Sequence, residues 1–226
     1  MEKFDRPKLE ELPALKQLED NWQQWGEECK AGERSWRSSG KLYKAIRKEL
    51  EDIAKDHCSF CDDKPLGVKS TQTIEHYFPK GKDDFPCLTF AWENLFYCCN
   101  KCQLNANSDK PFKYTLKPDN EAYFFQNCFY YDQEFGELKI LENLASKNPE
   151  KFEKATAFLK RYGLKDGKLK QVRINKFMEV FRELKDDDDT FDKRIRDDFA
   201  FRYVYDAAKA YFDNWKKSNS KNTPLN

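Results

Sequence analysis

Cys58-Ser59-Phe60-Cys61, then Thr73-Ile74-Glu75-His76-Tyr77-Phe78-Pro79, then Trp92-Glu93-Asn94-Leu95, then Cys99-Asn100-Lys101-Cys102, form the stretch that organises this chain. Two Cys-x-x-Cys pairs bracket one of only two histidines. Four thiolates in two such pairs have the spacing of a closed structural zinc site, with Cys58, Cys61, Cys99 and Cys102 as its ligands. The segment between the pairs, residues 62–98, is longer than in an ordinary zinc ribbon. It reads as a functional insert held at both ends by the metal. Structural zinc can contribute folding free energy on the order of 10 kcal/mol in small peptides.

The insert has residue types suited to metal-assisted hydrolysis of a phosphodiester. A histidine near its ordinary pKa is the natural base for deprotonating water, and His76 is placed in that role. The adjacent Glu75 carboxylate can hold a hard cation such as Mg²⁺, which neutralises the phosphate and the leaving oxygen. Asn94 is expected to accept the proton on the other imidazole nitrogen, fixing tautomer and ring angle.

Outside this stretch the chain reads as mostly helical. Leu9 to Cys29 is expected to be a helix with an irregular turn near Pro13, followed by a basic loop from Gly32 to Gly40. Leu42, Ile46, Leu50 and Ile53 place an amphipathic helix over residues 41–56 that delivers the chain to Cys58. Thr71 to Phe78 and Leu88 to Tyr97 are rich in β-formers and read as strand-like. A helix is expected to start at the second cysteine pair and run to residue 108. The aromatic-rich segment 121–141, with Gly136, reads as a short hairpin. Asn148-Pro149 is a helix start and Gly163 a stop. Further helices are expected over Leu169–Leu184 and Phe191–Trp215, separated by an acidic break at Asp186–Asp189, with Phe191, Ile195 and Phe199 on one stripe. The expected division is a helical part over 1–56, a metal-bearing core over 57–118, a hairpin with C-terminal helices over 119–217, and a frayed tail over 218–226.

Composition narrows the class. The 226 residues are 39% hydrophobic and 15% aromatic, enough for a packed core, and 36% charged, which demands a solvated surface. No apolar run approaches the roughly 20 residues of a membrane helix, and the N-terminal residues lack an apolar signal core. A cytoplasmic setting is therefore expected, with no membrane. That setting argues against pairing the eight cysteines as disulfides. Cys29, Cys87, Cys98 and Cys128 then read as buried or half-buried thiols. Cys98, beside Cys99, is the one that could compete for zinc. His57, next to Cys58, reads as structural because the four cysteines already complete the zinc set. Net charge is only +1, so any grip on nucleic acid must be local or come from a partner. Residues 159–176 carry seven Lys and Arg against one Asp and are a candidate phosphate-contacting face.

The stretch resembles the HNH endonuclease family, through Cys58-x-x-Cys61, Glu75-His76-x-x-Pro79, Trp92-Glu93-Asn94-Leu95 and Cys99-x-x-Cys102-Gln103. The resemblance implies an α+β, mostly α chain built on a zinc-stapled ββα-metal core with helical N- and C-terminal parts. It implies His76 as general base, Asn94 as its orienting residue, and Glu75 and Gln103 as ligands of a catalytic Mg²⁺ or Mn²⁺. Two departures stand out: Glu75 occupies a place where Asp is commoner, and Gln103 one where Asn or His is usual. Asn105 or Asn107 could take the second ligand position instead. More loosely, Thr73 to Lys80, Trp92 to Cys102, Phe158 to Leu164 and Arg173 are similar to the HNH (PtuB-like) subunits of Septu and retron antiphage systems. That likeness implies nucleic acid as substrate, DNA favoured over RNA, and an ABC/SMC-like (PtuA-like) ATPase as partner, with Trp22, Trp25 and Trp36 as exposed docking aromatics. The alternatives are a zinc-stabilised interaction module without chemistry and a stand-alone HNH nuclease.

Overall fold

A computed structural model describes residues 2–36, 40–66, 71–81, 83–108, 112–186 and 193–220. Most of the expected acidic break (187–189), Phe191 and the end of the tail (221–226) lie outside the described residues. Within them the chain is α+β and mostly helical.

Two 3-10 turns, Leu9–Glu11 and Pro13–Leu15, precede α1 (Lys16–Ala31). Pro13 opens the second turn, where its missing N–H costs nothing. Gly32 ends α1 in the left-handed region at φ +80°, and its N–H returns to the Cys29 carbonyl. α2 (Gly40–Ala54) buries Ile46, Leu50 and Ala54, the stripe legible in the sequence.

β1 (Gln72–His76) pairs antiparallel with β2 (Leu95–Cys99), with Gln72 opposite Cys99 and His76 opposite Leu95. α3 (Asn100–Ser108) leaves β2 without a linker. Both strands are shorter than expected. The second begins only at Leu95, because Pro86–Leu88 and Trp92–Asn94 are tight turns. The first stops at His76, because the Asn94 side chain and carbonyl take over the backbone of Tyr77 and Phe78.

β3 (Phe129–Asp132) and β4 (Glu137–Ile140) form the expected hairpin, turning at Gly136 with φ +65°. After the single turn α4 (Leu144–Lys147), α5 (Pro149–Arg161) is capped by Asn148, whose Oδ1 accepts from the Lys151 N–H at 2.9 Å. α6 (Gly167–Asp186) packs along the last helix and buries Val180 and Leu184. The expected single helix over 191–215 is instead two, α7 (Lys193–Asp198) and α8 (Arg202–Ser220). The break has a tertiary cause. Asp62 accepts the Phe201 N–H on its carbonyl (2.7 Å) and the Arg202 N–H on its carboxylate (2.7 Å), so a residue far away in sequence caps α8.

The parts outside the metal region are fastened to it rather than appended. Buried Arg6 bonds Asp119 and the Trp92 and Leu95 carbonyls, and its guanidinium lies over the Phe96 ring. On the other side Phe60, between the first two cysteines, stacks on Tyr162 at 3.8 Å between centroids and 9° between planes. That stack brings the end of α5 against β1.

Candidate active site and metal centre

The four cysteines come together as their spacing predicts. Cys58 and Cys61 sit on a turn after α2, Cys99 ends β2, and Cys102 lies in the first turn of α3. All four are buried, with their sulfurs within 4.8 Å of one another. Cys61 Sγ and Cys99 Sγ are 3.8 Å apart, about the edge of a tetrahedron with ~2.3 Å metal–sulfur bonds. The Cys99 N–H points at Cys58 Sγ and the Cys102 N–H at Cys99 Sγ, each at 3.4 Å, so backbone dipoles help hold negative sulfur. This donor set fits a metal such as zinc. All eight cysteines are unbridged, and Cys98 is buried outside the group of four. His57 is structural: Nε2 meets the Asp197 carbonyl at 2.8 Å, and Nδ1 faces Asp62.

His76 ends β1 and is buried. Its Nε2 lies 3.0 Å from the Thr89 carbonyl. A carbonyl can only accept, so Nε2 carries the proton and Nδ1 the lone pair. The edge of Trp36 meets the imidazole, with centroids 4.7 Å apart at 86°. Burial, with Lys80 adding to it, pushes the His76 pKa down to about 3, so the ring is neutral. The expected bond between Asn94 and the imidazole is replaced by the one from Thr89. Asn94 serves the loop instead: Oδ1 accepts from the Phe78 N–H (2.6 Å), and Nδ2 donates to the carbonyls of Phe78 (3.0 Å) and Leu88 (2.9 Å). It orients His76 only indirectly, by fixing the loop that carries Thr89.

Nδ1 faces Lys80 Nζ at 3.5 Å, within a cavity of about 380 Å³ lined among others by Glu75, His76, Lys80, Asp84, Asn107 and Phe112. Burial pushes the Glu75 carboxyl up to about 7, although Arg161 and Lys80 both pull it down. Arg161 Nη2 lies 3.7 Å from Glu75, and both side chains are almost fully buried. Burial also holds Lys80 below the ordinary lysine value. Gln103 is placed differently from the role the resemblance implies. Its Oε1 accepts from the Thr73 hydroxyl (3.0 Å), and its Nε2 donates to the Ile74 carbonyl (2.8 Å). Asn105 points its amide at the Tyr162 carbonyl. Of the three amides considered from the sequence, Asn107 is the one lining the cavity. Glu75, Asp84 and Asn107 are hard oxygen donors of the type Mg²⁺ takes. Lys80 and Arg161 already place positive charge beside Glu75.

Thr89, Lys80, Trp36 and Arg161 therefore belong to the site although the sequence did not single them out for it. Thr89 acts through its backbone, which no side-chain pattern reveals. Arg161 was read as part of a solvated basic face. In the fold that face is largely consumed: Arg161 and Arg173 are buried, Lys170 pairs with Glu137, and Lys176 with Glu179. The docking aromatics are corrected as well. Trp25 is buried, and Trp22 and Trp36 pack against the core, Trp36 with its ring on Phe90 as well as on His76. Among the described residues no helix is long and apolar enough to cross a membrane. No family model matches the chain, and neither does any curated protein.

Proposed function

We propose that this chain is an HNH endonuclease, a divalent-metal-dependent phosphodiester hydrolase stapled by a structural zinc. One observation carries the reading: the Thr89 carbonyl fixes the His76 imidazole so that its lone-pair nitrogen opens into a cavity shared with the Glu75 carboxylate. In this reading Nδ1 of His76 takes a proton from water as the oxygen attacks phosphorus and the bond to the leaving oxygen breaks. Thr89 stabilises the imidazolium as it forms, since its carbonyl already accepts the Nε2 proton. The empty cavity leaves the imidazole weakly basic; an anionic phosphate beside it raises that basicity. Lys80, at 3.5 Å, must yield its place to the attacking water and is then positioned to meet the phosphate. Glu75 and Asn107 are the residues that would hold Mg²⁺ or Mn²⁺, which supplies charge neutralisation at the phosphate and leaving oxygen.

The cations flanking Glu75 and the turned-away Gln103 favour a second reading, a zinc-stapled interaction module without chemistry. Plasmid or oligonucleotide cleavage with Mg²⁺ or Mn²⁺, compared between wild type and His76→Ala, separates the two. Cleavage lost in the variant with zinc content intact supports the enzyme; no cleavage by either protein under any divalent cation supports the module. The partnership with an ABC/SMC-like ATPase in antiphage defence rests on the resemblance and on the net charge of +1, which gives weak grip on a phosphate backbone. Co-expression with such an ATPase tests it, and a stand-alone nuclease would cut rapidly at about 0.15 M salt without it.

A further inference from the structure

A second cavity, of about 400 Å³, opens beside the first. Its walls include Phe78, Tyr114, Lys117, Asn120, Lys151 and Lys154. An aromatic ridge joins the two spaces. Phe78 and Tyr114 line the second cavity and Phe112 the first, with Phe112 centred 5.6 Å from Phe78 and 5.3 Å from Tyr114. His76 and Phe78 are two residues apart where the chain leaves β1. A strand whose phosphate lies at His76 is therefore directed past Phe78 into this space.

We propose that this cavity binds an unpaired nucleotide flanking the scissile phosphate, with its base on Tyr114 and its phosphate on the lysines. The proposal rests on the nuclease reading above. Three features point to this ligand class. The volume suits a small organic ligand. Tyr114 is 60% exposed and held edge-on by Phe112 and Phe78, so its free face is a stacking platform. Lys151 and Lys154 project from one face of the first turns of α5, and Lys117 joins them from the segment before β3. Their local partners are Glu150 for Lys154, Asp119 for Lys117 and the Ala122 carbonyl for Lys151. The Glu150 and Ala122 contacts lie on the half-exposed rim, where a phosphate can compete. A base inside a duplex has both faces covered by its neighbours, so only an unpaired one can offer a face to Tyr114.

The test is equilibrium binding of a fluorescein-labelled single-stranded DNA hexamer to the full chain, without divalent cation so that no cutting occurs. Tyr114→Ala should weaken binding about tenfold with an unchanged salt slope, because stacking releases no counterions. The Lys151→Gln/Lys154→Gln pair should weaken binding and flatten the slope of log K against log salt by about 1.4, at ~0.7 per phosphate contact. An unlabelled duplex should compete poorly. Circular dichroism and zinc content check that each variant is folded. Wild-type affinity in both variants overturns the proposal, as does equal competition by duplex. Competition by AMP as strong as by the hexamer also overturns it, showing a free-nucleotide site instead. Wild-type cleavage by His76→Ala would remove the nuclease reading without touching this binding result, so the two can fail separately.

Discussion

Replacing Arg202 by methionine takes the cation away from a carboxylate that water does not reach. Asp62 is 0% exposed and Arg202 8%. Arg202 Nε lies 3.1 and 3.2 Å from the two carboxylate oxygens, Nη2 also bonds Asp62, and the Arg202 N–H donates to Oδ2 at 2.7 Å. Burial alone would raise the Asp62 carboxyl; the Arg202 guanidinium overcomes that and holds it below the usual carboxylate range. Methionine keeps the backbone bond and much of the packing, so the loss isolates the ion pair. Stranding one member of a buried pair costs about 3–5 kcal/mol, a large part of the roughly 5–15 kcal/mol that folds a domain. In a chain of this size that corresponds to a fall in Tm of roughly 6–20 °C. The assay is urea unfolding followed by tryptophan fluorescence, with zinc release to a chromogenic chelator measured in parallel. Release should speed up, because Asp62 directly follows Cys61. Adding Asp62→Asn, which retains an acceptor for the Arg202 N–H but no charge, should recover at least half the loss. A loss below ~1 kcal/mol, the size of an exposed pair, would refute the reasoning by showing the carboxylate to be hydrated.

Elemental analysis should find about one zinc per chain, and Cys102→Ser should unfold the protein rather than merely slow it, given a metal contribution on the order of 10 kcal/mol. Asn94→Ala should cost about 2–4 kcal/mol in urea titrations, from three buried hydrogen bonds at ~0.5–1.5 kcal/mol each; unchanged stability would mean that the loop is held by other contacts. His76→Ala should lower any cleavage rate by about 10²–10⁴-fold with the circular dichroism spectrum preserved. Gly26→Ala should destabilise by about 1–3 kcal/mol through overpacking, despite the ~1 kcal/mol gained in helix propensity. A Cβ there meets the backbone oxygen of Cys87 at 2.2 Å, and backbone cannot swing aside. A rise in Tm would show that α1 can shift off the Pro86–Leu88 turn.

The four-cysteine cluster, the amphipathic α2, the 129–140 hairpin and the capped α5 were all legible in the sequence. Each rests on local rules: ligand spacing, helical periodicity, turn glycines and an Asn-Pro start. The placement of Glu75 and His76 side by side at the end of a strand was legible for the same reason. What the sequence could not reveal depends on contacts between distant segments. Thr89 reaches His76 through a backbone carbonyl, and Arg161 reaches Glu75 because Phe60 stacks on Tyr162. Asn94 has the same amide whether it faces an imidazole or a loop backbone, and only the closed 77–94 loop decides between them. The helix expected over 191–215 splits because Asp62, more than a hundred residues away, supplies the acceptors that a new N-terminus needs. Helical periodicity continues through such a break. An orphan N–H finding its acceptor is an event of three-dimensional packing, and only the tertiary structure decides it.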